Sequence, residues 1–248
     1  MEKIQKKLPD ISAFGLHVLA MTLMLGDHIW ATLPHISTWF TAMGRIAFPI
    51  FAFLMAEGHA HTADIKKYRL RLLLLAVVTE VPFNLMCCGR VFYPIHQNVI
   101  WTFLLASVCI GVIDKAWEKK TVPAALAAAG VTWLCYLAGY VLFVDYHGEG
   151  VLTVVMFYLL RGSRWWNGLG QLGCLYWINV EMLKGRIVSG AIFGVVLKLP
   201  LQAFALLALI PIWLYRGRQG PHSKAVKLIN YGFYPVHMLV LWLIAVAL

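Results

Sequence analysis

Ionisable side chains stand near one end of several long apolar segments, and their types suit proton-transfer chemistry. Asp27 and His28 close the first segment, Arg45 opens the second, and Glu80 lies within the third. An ionisable group is costly in hydrocarbon, so each of these is a candidate functional residue. The ordinary pKa of histidine lies near neutral pH, which makes His28 the natural general base. The sequence therefore predicts a catalytic cluster of these four residues.

A structural network would use the same residues. Asp27 or Glu80 would neutralise Arg45, and a hydrogen-bonded His28 would hold two helices together. Neighbouring residues of a helix point about 100° apart, so Asp27 is not required to orient His28. Glu80 or another residue would then be its partner, and the sequence leaves both interpretations open.

A second polar set follows the other end of the second segment. It comprises Glu57, His59, His61, Tyr68, Arg69 and Arg71. Histidines two positions apart do not make a metal site without further ligands, and no CxxC spacing occurs, so we predict no bound metal. The five cysteines are expected to be small buried hydrophobic residues. The arginines indicate orientation and, as an alternative, a site for the phosphates of a cytosolic cofactor.

The composition places the chain in a bilayer. Of its 248 residues 61% are hydrophobic and 13% charged, and the mean hydropathy is +0.75; a soluble domain carries about 25% charged residues. We predict an all-α polytopic bundle of about 9–10 transmembrane helices, forming a single integral membrane domain over residues 1–248. The net charge of +10 is attributed to cytoplasmic loops facing anionic lipid and not to nucleic acid.

Nine hydrophobic segments follow one another along the chain. They lie at about 12–33, 43–57, 68–88, 98–113, 122–143, 149–160, 165–183, 187–215 and 229–248. A cytoplasmic N-terminus puts most lysines and arginines on the cytoplasmic side, which predicts a multi-pass protein of the bacterial inner membrane. We interpret 187–215 as one broken or re-entrant unit, because two spans would put the basic loop 216–224 outside. Ten spans remain the alternative.

Several sequence blocks, in their order, resemble the TraX-like family of membrane proteins. They are Gly44 to Gly58, then Tyr68 to Leu70, Glu80 to Asn84, Asn98 to Phe103, Leu214 to Gly220 and Tyr231 to His237. The founding member of that family is associated with N-terminal acetylation of conjugative pilin. The family is also distantly similar to integral membrane acyltransferases.

The resemblance implies an acyltransferase that moves an acetyl or acyl group from cytosolic acyl-CoA to an amine or hydroxyl at the membrane or its outer side, with acetyl-CoA as the expected donor. His28 matches a histidine expected to act in acyl transfer, and Arg45 and Glu57 match the second block. Arg45 or Asn98 would stabilise the oxyanion. For substrate binding we expect Glu57, Asn84, Asn98, Tyr68 and His237, and for CoA binding Arg69, Arg71, Arg216 and Arg218.

Two other functions fit the same sequence. A transporter or channel would use the polar cluster and the broken segment 187–215 as its substrate site. A non-catalytic assembly factor would not depend on proton transfer by His28. Membrane lipid is an expected partner in all three cases, the acyl acceptor is open between a protein N-terminus, a glycan and a lipid, and a monomer and a homodimer are both compatible.

Overall fold

The computed structural model describes residues 10–192, 195–221 and 223–248. Its regular structure is almost entirely helical, which confirms the all-α prediction. The first eight helices are α1 (Ala13–Thr32), α2 (Trp39–Gly44), α3 (Ala47–His61), α4 (Ile65–Cys88), α5 (Val99–Lys119), α6 (Val122–Val141), α7 (His147–Leu159) and α8 (Trp165–Tyr176). A π-helical turn (Trp177–Leu183), β1 (Ile187–Ile192), β2 (Val195–Pro200), a 3₁₀ segment (Leu201–Ala208), α9 (Leu209–Trp213) and α10 (Lys224–Ala247) complete the chain.

Short polar side chains begin most of the long helices. Each accepts a hydrogen bond from a backbone N–H in the first turn, which the helix itself leaves unpaired. These residues are Ser12, Asp64, Asn98, Thr121 and Ser223. The apolar segments are therefore bounded by local hydrogen bonds and not by hydrophobicity alone.

Among the described residues, six helices are long and apolar enough to cross a membrane by length and composition. They are α1, α2 with α3, α4, α5, α6 and α10. The difference from the nine or ten predicted spans lies in α7, in α8 and in the segment 187–215. Helix α7 has only 13 residues and is largely buried among other helices, so its length need not match the thickness of the hydrocarbon.

Segment 187–215 contains a β-hairpin that the sequence analysis did not predict. Strands β1 and β2 pair antiparallel, with Ile187 opposite Pro200. Only the stretch Leu201–Trp213 that follows is helical, first as a 3₁₀ segment and then as α9. The described residues of the segment therefore form a hairpin and one short helical unit and not two spans, and the hairpin is a local departure from the all-α architecture expected for the hydrophobic segments.

Different contacts tie the chain together at the two ends of the helix bundle. One end, which we call the basic end, joins the start of α1 to the chain before α10: Arg218 Nε lies 2.7 Å from Asp10 Oδ2, and Ile11 pairs with Tyr215. At the opposite end, called the pocket end, Gln97 pairs with Val144 and so ties the α4–α5 connection to the α6–α7 connection.

Two helices that reach the pocket end contain an internal proline. Pro82 lies in α4 and Pro235 in α10. A proline inside a helix removes one backbone hydrogen bond and bends the helix. Helix α10 packs against α4 and α1, so the proline at 235 lies beside the polar residues that close α1.

Candidate active site

A cavity of about 170 Å³ at the pocket end collects polar side chains that are far apart in the sequence. Helices α1, α3, α4, α5 and α10 line it, together with the α2–α3 junction and the two paired connections. Its ionisable residues are Asp27, His28, Arg45, Cys87, His96, Asp145, Tyr146 and Tyr234. We call this cavity the histidine pocket. Of the four predicted catalytic residues, it brings together Asp27, His28 and Arg45.

Arg45 and Asp27 form an ion pair that closes one side of the histidine pocket. Arg45 Nη2 donates to Asp27 Oδ2, and both side chains are less than one-fifth exposed. Arg45 Nε also donates to the Thr41 carbonyl at 3.2 Å. A Cβ on Gly44 would lie 2.6 Å from Asp27 Cγ, so the pair needs the close approach that glycine permits.

His28 is held by His237 of α10. His28 Nδ1 and His237 Nε2 are 2.7 Å apart, and His237 Nδ1 lies 2.7 Å from the Phe233 carbonyl oxygen. The carbonyl can only accept, so His237 Nδ1 carries a proton and its Nε2 accepts. His28 Nδ1 must then be the donor. In a neutral His28 this leaves Nε2 unprotonated, so that its lone pair is available to accept a proton.

The paired connections contribute a second histidine. His96 Nε2 lies 3.7 Å from Asp145 Oδ1. The nearby Asp145 carboxylate raises the pKa of His96 above its ordinary value, because it stabilises the imidazolium. Asp145 is itself fixed through its backbone, since its N–H donates to Gln97 O at 2.9 Å and its carbonyl accepts from Thr102 Oγ1 at 2.5 Å.

Tyr146 forms an aromatic wall of the pocket. Its ring stacks on Phe48 with 3.8 Å between ring centroids. The backbone of Tyr146 has a positive φ of 59°, a conformation that residues other than glycine rarely adopt. Stacking and the turn together place this ring against α3, in the same cavity wall as Arg45.

Glu80 lies outside the histidine pocket. Its Oε2 accepts from Asn98 Nδ2 at 2.5 Å and from Trp101 Nε1 at 3.1 Å. Asn98 is fully buried and caps α5, accepting from Ile100 N at 3.1 Å. Asn84 is also buried and reaches the Val91 carbonyl. Glu80 and Asn98 thus fasten the start of α5 to α4, Asn84 contacts the connection between the two helices, and none of the three residues lines the histidine pocket.

The predicted CoA ligands of α4 are engaged at the basic end. Arg69 Nη2 donates to the Ser107 carbonyl at 2.6 Å, and its Nε donates to Ser107 Oγ at 3.1 Å. Arg71 lies over the ring of Tyr68, 5.7 Å from its centroid. Tyr68 donates to the Met55 carbonyl. Arg218 is paired with Asp10, as described above.

Arg216 and Glu57 line a separate cavity of about 710 Å³, which we call the arginine cavity. It also contains Arg164 and the rings of Trp165, Trp213 and Tyr215. It shares no lining residue with the histidine pocket. The residues predicted to bind substrate and CoA are thus divided between two ends of the protein.

Sequence reasoning assigned no site role to three members of the pocket, namely His96, Asp145 and Tyr146. His96 and Asp145 are polar residues of connections between apolar segments, and such loop residues are frequent in binding sites. That signal was present but did not single them out. His237 was predicted as a substrate ligand, whereas the structure places it behind His28 as a hydrogen-bond acceptor.

The pocket combines a candidate base with a cation. It holds the imidazole of His28 and the guanidinium of Arg45 within one cavity whose walls are mostly apolar, an arrangement suited to proton transfer and to stabilising negative charge. Among the described residues, no three His, Cys, Asp or Glu side chains are grouped so that they would hold a metal ion.

The six apolar helices and the polar pocket buried between them define a multi-pass membrane protein. The chain belongs to the TraX protein family, whose model matches residues 13–245. It is also similar to the probable fimbrial assembly protein FimC, serogroup H1, of Dichelobacter nodosus, with 25% identity over 246 residues that cover 94% of this chain and 95% of the relative. No solved structure matches the chain significantly.

Proposed function

We propose that the protein transfers an acyl group from acyl-CoA to an amine or hydroxyl acceptor, with His28 as the general base. The observation that carries the proposal is the hydrogen-bond chain from Phe233 O through His237 to His28, a residue that lines the pocket, because this chain leaves Nε2 of a neutral His28 unprotonated. A histidine fixed in one tautomer beside a buried cation matches the requirements of acyl transfer.

The reaction balances with these groups alone. The acceptor N–H or O–H gives its proton to His28 Nε2 while the acceptor atom bonds to the thioester carbonyl carbon. The guanidinium of Arg45 stabilises the negative charge that develops on the carbonyl oxygen. The carbon–sulfur bond then breaks, and the CoA sulfur takes the proton from His28. The products are the acylated acceptor and free CoA thiol.

The proposal includes an orientation. The positive-inside rule favours a cytoplasmic basic end, which supports a cell-membrane protein with its N-terminus in the cytoplasm and a donor drawn from cytosolic acetyl-CoA. The histidine pocket would then open toward the far side, where the acceptor is met. The relative from Dichelobacter nodosus is named for fimbrial assembly, which favours an amine of a pilus subunit as the acceptor.

A non-catalytic assembly factor is the second candidate. The name of the same relative supports it, because that protein is described as a fimbrial assembly protein. In that case the Asp27–Arg45 pair and the His28–His237 pair only hold α1, α3 and α10 together. The two candidates make opposite predictions for a variant that keeps the fold but removes the base.

The test is transfer of a labelled acetyl group from acetyl-CoA by protein purified in detergent, with a pilus-subunit N-terminal peptide and simple amines as acceptors. We expect His28→Ala to lower the rate about 100-fold to 10,000-fold. His61→Ala is the matched control, because His61 is exposed at the basic end, and it should retain full activity. Absence of transfer with folded wild-type protein, or equal rates for His28→Ala and wild type, would favour the assembly factor.

A further inference from the structure

A cavity distinct from the histidine pocket and the arginine cavity lies between the histidine pocket and the basic end. It has a volume of about 310 Å³ and is lined by α1, α3, α4, α5 and α10. On α1 the lining residues are His17, Met21 and Met24, spaced so that they share one helical face. The same face continues to His28, which lines the histidine pocket. We call this second space the donor cavity.

The donor cavity and the histidine pocket adjoin each other. Five residues line both spaces: Met24, Phe51, Val99, Phe103 and Tyr234. The arginine cavity shares no lining residue with either of them. The donor cavity is therefore the cavity that leads from the side of the basic end toward His28.

The walls of the donor cavity are mostly apolar, with polar groups at defined positions. Lys227 and Tyr231 line it and are exposed, so the cavity reaches the surface at the start of α10. His17 and Asn230 also line it, and His17 Nδ1 and Asn230 Oδ1 are buried without a hydrogen-bond partner in the described part of the chain. Buried polar atoms are normally paired, which indicates a ligand that carries hydrogen-bonding groups.

We infer that the donor cavity binds the acylated pantetheine arm of acyl-CoA, an inference that rests on the proposed function. The arm combines methylenes, a branched apolar unit and two amides, which suit apolar walls with isolated polar atoms. From His17 to His28 the helix rises about 16 Å. An arm equivalent to four or five extended residues spans about the same distance.

Lys227 gives the cavity a cation at its exposed mouth. The phosphates of the nucleotide end would lie there, outside the apolar space, while the thioester reaches the histidine pocket. The arginine cavity is less suitable for this role, because the Glu57 carboxylate lines it and it does not adjoin His28. The inference thus moves the donor from Arg216 and Arg218 to Lys227.

The first experiment fills the cavity. Binding of acetyl-CoA and of S-acetylpantetheine is measured by calorimetry on the full-length protein in detergent. Leu75→Trp replaces a leucine side chain of the donor cavity with a bulky indole ring, and Leu169→Trp makes the same replacement in the arginine cavity. We expect Leu75→Trp to weaken both probes at least about tenfold by occupying their space. Leu169→Trp should leave both affinities unchanged.

A charge reversal keeps the test decisive if Leu75→Trp does not fold. Lys227→Glu alters an exposed residue and should weaken acetyl-CoA about fivefold or more, because its phosphates meet a carboxylate. S-acetylpantetheine carries no phosphate, so its affinity should not change. Lys224→Glu is the matched control: it is an exposed lysine of the same helix that does not line the cavity.

The two proposals fail in different ways. If the cavity variants weaken binding as described but no acetyl transfer occurs, the donor cavity is supported and the acyltransferase proposal is overturned. If transfer depends on His28 but Leu75→Trp and Lys227→Glu leave the affinities and KM unchanged, the donor cavity is overturned alone. Binding that is lost in Leu169→Trp would place the donor in the arginine cavity and also overturn the inference.

Discussion

The pocket end and the basic end hold their charged groups in different ways. At the pocket end, the Arg45 side chain is 18% exposed and its Asp27 partner 16%, and both contact the same cavity as His28. At the basic end, Arg218 is 59% exposed in its pair with Asp10. A buried pair has a fixed geometry and is costly to disrupt, whereas an exposed pair is weak and screened by salt. The few buried charges are therefore the better guide to chemistry, and the many exposed ones to orientation.

The largest expected effect comes from removing one partner of the buried pair. Arg45→Ala leaves the Asp27 carboxylate unpaired in a largely buried site. We expect a loss of about 3–5 kcal/mol in the free energy of unfolding, measured in detergent with a denaturant. Combining it with Asp27→Asn should recover part of the loss. A loss below about 1 kcal/mol would mean that water reaches the pair as freely as it reaches an exposed one.

The next largest effect is expected from removing His237, the hydrogen-bond acceptor of His28. His237→Ala deletes the group that fixes the tautomer of His28 and should lower kcat about 10-fold to 100-fold with little change in KM. His237→Gln supplies an amide oxygen at a similar distance and should restore part of the rate. The pH profile of kcat should shift in the alanine variant. An unchanged profile would show that His237 has only a packing role.

A glycine at the α2–α3 junction tests how closely Asp27 must approach. Gly44→Ala introduces a Cβ against the Asp27 side chain and should destabilise the protein by about 1–3 kcal/mol. Gly173→Ala is the control, because its Cβ would meet no atom within 4 Å. In α8 it should be neutral or stabilising by about 1 kcal/mol. Equal effects of the two substitutions would argue against a tight junction.

The His96–Asp145 pair should make stability depend on pH at the pocket end. Because the folded-state pKa of His96 is raised, its contribution is complete below about pH 6.5, the pKa of an unperturbed histidine. The contribution is lost as pH rises through the raised value. The Tm difference between wild type and His96→Gln should therefore be largest at acidic pH and vanish at alkaline pH. The opposite trend would mean that the charged histidine is not favoured in the fold.

The smallest effect is expected from the exposed pair. Arg218→Ala should change the free energy of unfolding by about 0–1 kcal/mol, and 0.5 M salt should reduce even that difference. Unfolding curves of wild type and variant at two salt concentrations provide the measurement. A loss as large as that of Arg45→Ala would remove the distinction between the two ends.

The sequence alone predicted much of the helix bundle and part of the site. The long apolar segments were readable locally, and the alternating direction of the helices brought Asp27, His28 and Arg45 to one end. The partner of His28 was not readable, since His237 lies 209 positions away and its contact depends on the rotation of α10 about its axis.

The role of Asn98 and the fold of residues 187–200 differ from the sequence predictions, although local signals in the sequence indicated both. Asn98 stands directly before an apolar segment, where a capping role is common, and the structure uses it as the cap of α5. Residues 187–200 are rich in valine and isoleucine and contain two glycines, a composition that favours a hairpin. The predictions relied on hydropathy instead, and hydropathy alone does not distinguish a membrane helix from an apolar strand.

Helix α10 carries the mouth of the donor cavity at Lys227 and the support of the base at His237. Every other described element of the bundle precedes it in the chain. The proposed site is therefore incomplete until α10 packs against α1 and α4. A truncation before Lys224 would yield a membrane protein that retains Arg45 and His28 but holds its histidine in no defined tautomer.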